Sequence, residues 1–201
     1  MEYIIIPLIA AALITAIILI IKKSGRTEAE DGMEKAGRDG EKYAVQVIRS
    51  VMRRGDVLLT NVHVSYGGRE TELDNVIVNG GGVYIVEVKS YKGRLEGSED
   101  DFNWTQYRKD GKGGKTVKNP IKQVKRQIYI TSKYLRQNGA PKVSVDGFAI
   151  LLYSESPAES RYILKSTAKI DKAIHAKTSK ALSRADKEAV VGILEAAITD
   201  K

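Results

Sequence analysis

A glycine-rich turn, Asn79-Gly80-Gly81-Gly82, separates two runs of strand-forming residues, Glu72–Val78 and Val83–Ser90. Strands joined this tightly pair antiparallel, and a hairpin closed at that turn pairs residues whose numbers sum to about 161. That register puts Asp74 opposite Glu87. Directly opposed side chains share a face of the sheet, with Cβ atoms about 4.5–5.5 Å apart. Lys89, two residues beyond Glu87, points to the same face. Two carboxylates this close repel by about 3 kcal/mol at an effective dielectric of about 20. Folding alone gives no reason to place them there, whereas a bound divalent cation does.

The rest of the composition narrows what such a cation is. The chain has 201 residues and no cysteine, and its histidines are His63 and His175. Disulfides, thiolate metal sites and poly-histidine sites are excluded, so the ligands are oxygens and the ion is magnesium or manganese, or calcium. The net charge of +8 suits a polyanion such as nucleic acid, or an anionic membrane surface.

Tyr3 to Ile21 is an almost unbroken apolar run, interrupted by Pro7 and Thr15 and followed at once by Lys22 and Lys23. At 1.5 Å per residue it makes about 28 Å of helix, close to the hydrocarbon thickness of a bilayer. A cleaved signal peptide would want a basic start and small residues before a cleavage site, and a core helix would carry some polar residues. The run therefore reads as a single transmembrane helix over 3–21, with the N-terminus outside and the following domain cytoplasmic. Residues 22–36 read as a linker and 37–201 as one folded domain.

Within that domain, Gly37–Met52 is helical, with Ala44, Val45, Ile48, Val51 and Met52 on one stripe and Glu41 at its N-terminal end. Strands follow at Val57–Val64, Glu72–Val78 and Val83–Ser90, then shorter ones at Gly93–Glu96 and around Asn103–Arg108. Lys109–Lys118 reads as a mobile loop. Asn119 caps a second helix with Pro120 at its first position, running to about Gln137 before Gly139. Gly147–Tyr153 is a short apolar strand buried on both faces. A further strand fits Tyr162–Leu164, and Ser183 with Asp186 opens a last helix carrying Val190, Val191, Leu194 and Ile198. The order predicts an α/β fold with a mixed central sheet flanked by helices.

Taken in order, Gly40-Glu41, Asp74, Glu87-x-Lys89, Trp104 and Asn119-Pro120-x-x-Gln123 resemble the nuclease-related domain family, a branch of the PD-(D/E)XK nuclease superfamily. The resemblance runs from about Gly37 to Leu152 and implies a restriction-endonuclease-like fold. Leu73 stands where the superfamily's proline precedes the aspartate, and Asn75 where the family often has histidine. Neither departure removes a ligand. The resemblance implies a magnesium (or manganese) site built from Glu41, Asp74, Glu87 and the Val88 carbonyl, with Asp74, Glu87, Lys89 and Gln123 catalytic. The implied activity is phosphodiester hydrolysis in nucleic acid, DNA favoured over RNA, by a membrane-anchored enzyme. The alternative is a catalytically weak tethered binding or scaffold module on the same fold.

The chemistry fits the residues as well. In-line attack on a phosphodiester needs neutralised charge and an activated water. Lys89 can orient or deprotonate that water, with burial and the cation lowering its pKa. Gln123 can contact a phosphate, and Gln106 is a weaker candidate. Plainer readings stand beside these. Lys89 also falls opposite Glu72 and can form a cross-strand ion pair. Glu41 and Gln123 can be solvated helix positions, Trp104 reads as a packing residue, His63 as a strand side chain with a local hydrogen bond, and His175 as a surface residue. Lys109, Lys112, Lys115 and Lys118, with Lys122, form a candidate phosphate clamp. The charges along the second helix, Lys122, Lys125, Arg126 and Lys133, read as mixed around it.

Overall fold

The computed structural model describes residues 40, 42–108, 113–176 and 181–198. The expected transmembrane segment 3–21, the linker 22–36, Glu41, Lys109 and Lys112 lie outside the described residues. No helix among the described residues is long and apolar enough to cross a membrane.

Alternating and continuous apolar runs build β1 (Val57–Tyr66), β2 (Arg69–Asn79), β3 (Gly82–Lys92) and β7 (Val145–Tyr153) into a four-stranded sheet of order β1-β2-β3-β7. β1, β2 and β3 pair antiparallel, and β7 joins β3 in parallel. The sheet is mixed, as expected. Helix α1 (residues 42–51) and α3 (Thr167–Ile174) cover one face: Ile48, Ile170 and Ile174 pack on Ile77, Val86, Phe148 and Ile150. Helices α2 (Pro120–Gln137) and α4 (Arg184–Glu195) cover the other, where Ile130, Leu135, Val190 and Leu194 meet Leu59, Val76, Val78 and Ile85. β7 is buried from Gly147 to Ile150 because helices lie on both sides of it.

Several elements depart from expectation. β4 (Arg94–Glu96) and β5 (Asn103–Tyr107) do not extend the main sheet; with β6 (Gly114–Lys118) they form a separate antiparallel sheet. Gly93 makes the break, with φ 88°, and a Cβ there would sit 2.1 Å from the Tyr107 carbonyl oxygen. β6 replaces part of the expected loop. Four of its five residues are exposed and only Val117 is buried, so it carries no apolar alternation to read. The expected strand at Tyr162–Leu164 is a single bridge, Ile163 to Ala149. α3 was not foreseen. α4 ends at Glu195, and Ile198 bridges back to Val62 at the edge of β1.

The hairpin turn closes as read, with Asn79 opposite Gly82 and Asn75 opposite Val86. Gly82 is required: its φ is 144°, and a Cβ would lie 2.5 Å from the Ser144 carbonyl oxygen. Asn79 fixes the turn by accepting from Gly81 N–H at 2.7 Å and donating to the Ile174 carbonyl at 2.8 Å.

A candidate active site where the hairpin opens

The β2–β3 ladder stops at Asn75–Val86, one pair short of Asp74 and Glu87. Its cause lies in the neighbouring strand. Leu59, Val62 and Val64 on β1, and Leu73, Val76 and Val78 on β2, all join one core cluster. A regular strand turns alternate residues to opposite faces, so 59 with 62 and 73 with 76 require a slip in each strand. Both slips fall between the pairs Thr60–Asn75 and Val62–Leu73, at Asn61 and Asp74. Asn61 has φ 55°, the left-handed region that asparagine tolerates best after glycine. β2 kinks at Asp74 and parts from β3. The Val88 N–H, no longer met by β2's backbone, donates to Asp74 Oδ2 at 3.1 Å.

Glu87 stays on the α2 face, only 1% exposed. A buried carboxylate needs counter-charge and hydrogen bonds, and three donors supply them. Lys89 Nζ lies 2.5 Å from Oε1, Gln123 Nε2 donates to the same oxygen at 2.7 Å, and Gln127 Nε2 donates to Oε2 at 2.6 Å. Burial by itself would lower the Lys89 pKa, but the adjacent Glu87 charge and hydrogen bond, with Asp74 behind them, outweigh it and hold the ammonium above its ordinary range. The expectation of a depressed lysine joined burial to the charge of a bound cation; the contact with Glu87 acts in the opposite direction. The plainer cross-strand reading also fails: Lys89 pairs along its own strand, while the Glu72 carboxylate lies 3.7 Å from His63.

α2 is aimed by its N-terminus. Asn119, 1% exposed, accepts from Ile121 N–H at 2.9 Å, and its amide donates to the carbonyls of Ser98, Glu99 and Asp101. The cap thus satisfies a helix donor and ties down the loop before β5. Pro120 follows as the first helical residue, and Gln123 comes one turn later over Glu87.

Gln127 was not singled out from the sequence. It is fully buried, within the apolar stripe of Val124, Ile130 and Leu135, and it also donates to the Glu72 carbonyl at 3.2 Å. An amide four residues after Gln123 on a buried stripe was the available signal. The Oε1 atoms of Gln123 and Gln127 are buried with no hydrogen-bond partner among the described residues.

The other expected residues are scattered. Gln106 donates to the Lys92 carbonyl at 2.7 Å and does not reach Glu87. Lys115 and Lys118 lie exposed on β6. Lys122 is met by Asp100 at 3.3 Å. Trp104 is a packing residue, 1% exposed in the cluster under the small sheet, with its Nε1–H donated to the Ser98 carbonyl. His175 is not on the surface: its side chain is 9% exposed between Asp56 and Asp171.

No group of three or more histidine, aspartate or glutamate side chains among the described residues forms a ready metal cage. The donor set still fits a hard cation that keeps its waters: carboxylate oxygens of Asp74 and Glu87, and two unpartnered amide oxygens able to accept from such waters.

Comparison with known proteins places the chain in a family. No solved structure matches the chain. An uncharacterised Bacillus anthracis protein is 28% identical over 151 residues, covering 74% of this chain and 66% of the relative. The chain therefore spans just under two thirds of that relative's length. The nuclease-related domain model matches residues 36–152, the stretch that holds β1 to β7, α2 and every described residue of the site. By that match, over more than half of its length, the chain belongs to the nuclease-related domain family, within the PD-(D/E)XK-like superfamily.

Proposed function

We propose that this chain is a metal-dependent nuclease that hydrolyses phosphodiester bonds in nucleic acid, DNA in preference to RNA, anchored through residues 3–21 with its catalytic domain on the cytoplasmic side. One observation carries the reading. The kink at Asp74 opens the hairpin beside a buried Glu87 paired with a partly exposed Lys89, in a basic chain of a nuclease-related family.

Asp74, Glu87 and the Val88 carbonyl are the proposed inner ligands of magnesium or manganese, with Glu41 a further proposed ligand. When bound, the ion neutralises phosphate charge and acidifies a water for in-line attack. Lys89, held against Glu87, places its amine beside the site, where an ammonium stabilises the negative charge the phosphoryl oxygens gain. Gln123 and Gln127 fix the Glu87 carboxylate, so its orientation is set before substrate arrives. The amide oxygens of the same two residues accept from water in the site. Lys115, Lys118 and Lys122, with Lys109 and Lys112, hold phosphates away from the scissile bond.

The test is incubation of the full chain with single-stranded, duplex and branched DNA and with RNA. Cleavage is expected with magnesium or manganese and not with chelator, and it is lost in Asp74→Ala and in Lys89→Met. Intact substrates under every metal and pH overturn the proposal. One feature favours a second reading, a binding module that makes little product. Glu87 already has three protein donors, so a cation must compete with Lys89 for Oε1. Nucleic-acid binding that survives Glu87→Gln, with no detectable calorimetric binding of manganese by the parent, would select it.

A further inference from the structure

The cationic residues of α2 are not mixed around the helix. At 3.6 residues per turn, Lys122, Arg126, Tyr129, Lys133 and Arg136 fall within an arc of about 80°; Lys125 lies to one side. The stripe is divided electrostatically. At its start, Lys122 is met by Asp100 and Lys125 by Glu99, at 3.3 and 2.6 Å. Further along, no salt bridge among the described residues engages Arg126, Lys133 or Arg136. Uncompensated positive charge is thus confined to the later turns, about 15 Å of helix.

An ordinary solvated face does not fix an aromatic ring among its charges. Here Tyr129 is 48% exposed. Tyr66 of β1 meets it edge to face at 6.3 Å, and Lys133 Nζ stands 5.6 Å from its ring centre. Arg126 is tied to β2 through the Glu70 carbonyl at 3.0 Å, and its neighbour Gln127 holds both Glu87 and the Glu72 carbonyl. The stripe therefore begins beside the strand that carries Asp74 and runs away from it. Cations along one helix face with a half-exposed ring between them match a polyanion whose bases are free to stack. A duplex presents the same phosphates but keeps its base faces covered.

We propose that the Arg126–Tyr129–Lys133–Arg136 stripe holds one unpaired nucleic-acid strand leading to the carboxylate site, with a base stacked on Tyr129 and phosphates on the three cations. This makes single-stranded or frayed polynucleotide the substrate class, and it rests on the nuclease reading above only in naming that strand a substrate.

The experiment measures fluorescence anisotropy of a labelled oligothymidylate and of a blunt duplex of equal length, with the full chain in chelator, across a salt series. The parent is expected to bind the single strand more tightly. Tyr129→Ala is expected to weaken that binding about tenfold, and Tyr129→Phe to restore most of it. The double variant Lys133→Gln/Arg136→Gln is expected to reduce the log–log salt slope by about 1.4, since each single-strand phosphate contact contributes about 0.7. Lys169→Gln, on α3, is the control for loss of one charge elsewhere. Equal affinity for duplex, parental binding by Tyr129→Ala, or a salt slope matching that of the control each overturn the inference. Binding is read without metal, so a chain that holds the strand as expected but leaves it intact in magnesium would sink the nuclease reading and leave this one standing. Cleavage with parental KM in both stripe variants would do the reverse.

Discussion

Two charge clusters sit in this domain, one half-exposed and one buried, and they are built on opposite terms. Where α1 and α3 meet the start of β1, Arg53, Asp56, His175 and Asp171 close a ring. Arg53 N–H donates to Asp56 Oδ2 at 2.8 Å, and the two nitrogens of His175 lie 2.9 and 2.7 Å from Asp56 and Asp171. Arg53 Nη2 reaches Asp171 at 3.0 Å. Every member is used by another member. Under α2, Glu87 is equally well supplied, but Gln123 and Gln127 each keep a buried oxygen without a partner among the described residues, and Asp74 stands at a kink. A closed polar network rigidifies, whereas buried acceptors left over beside a charge mark a place built for something else to complete. The first cluster is a pin between elements, and the second is the one with chemistry left to do.

The contrast is broken or sharpened first at Lys89. Lys89→Met strands a carboxylate that is 1% exposed, so it is expected to cost about 3–5 kcal/mol in a urea titration and to cut hydrolysis about 10²–10³-fold. Adding Glu87→Gln removes the stranded charge and is expected to recover most of the stability and none of the hydrolysis. Recovery of both would make the pair a structural pin like the other cluster.

Gln127→Leu comes next. It leaves Glu87 Oε2 without its donor, and a loss of about 1–3 kcal/mol is expected by thermal unfolding. Manganese affinity, read by calorimetry, should fall with it, and Gln127→Glu should not rescue that affinity. A variant with unchanged manganese affinity would show that Gln127 only fills the core.

At the closed ring, His175→Gln removes the imidazole from an Asp56 side chain that is 8% exposed and leaves it the Arg53 N–H alone, so a loss of up to about 1–3 kcal/mol is expected with hydrolysis per folded molecule unchanged. A selective loss of hydrolysis would erase the distinction between the clusters.

Asp171 gives the smallest effect and a sign. The His175 hydrogen bond, with the Arg53 charge behind it, holds this carboxyl below the usual aspartate range. The folded chain therefore binds fewer protons there than the unfolded chain. Its contribution is present above the ordinary aspartate value of about 3.9 and is lost as pH falls through the lower folded value. Asp171→Asn should therefore lower the denaturation midpoint slightly at neutral pH, match the parent below the folded value, and so flatten that part of the acid limb in a pH series of denaturation midpoints.

Much of the frame was legible in the residues, for local reasons. The hairpin register followed from a glycine turn that only glycine can make, the start of α2 from an Asn-Pro pair whose roles are set by one turn of backbone, and the start of α4 from Ser183, which accepts the Asp186 N–H. β6 escaped because a strand with one buried residue has no periodicity. α3 escaped because its eight residues bury only Ile170 and Ile174. The resemblance that named Asp74, Glu87, Lys89 and Gln123 likewise rests on short, ordered spacing.

The sequence by itself determined which charges exist and roughly which strand or helix carries each, since turns, caps and strand alternation act over a few residues. Only the tertiary structure decided which of those charges meet. Asn61 and Asp74 kink together because β1 lies beside β2, Gln127 reaches Glu87 because α2 crosses β3, and His175 is enclosed because α3 ends against Asp56. Contacts between groups 36 to 119 residues apart depend on how elements pack, and no local pattern in the chain encodes that.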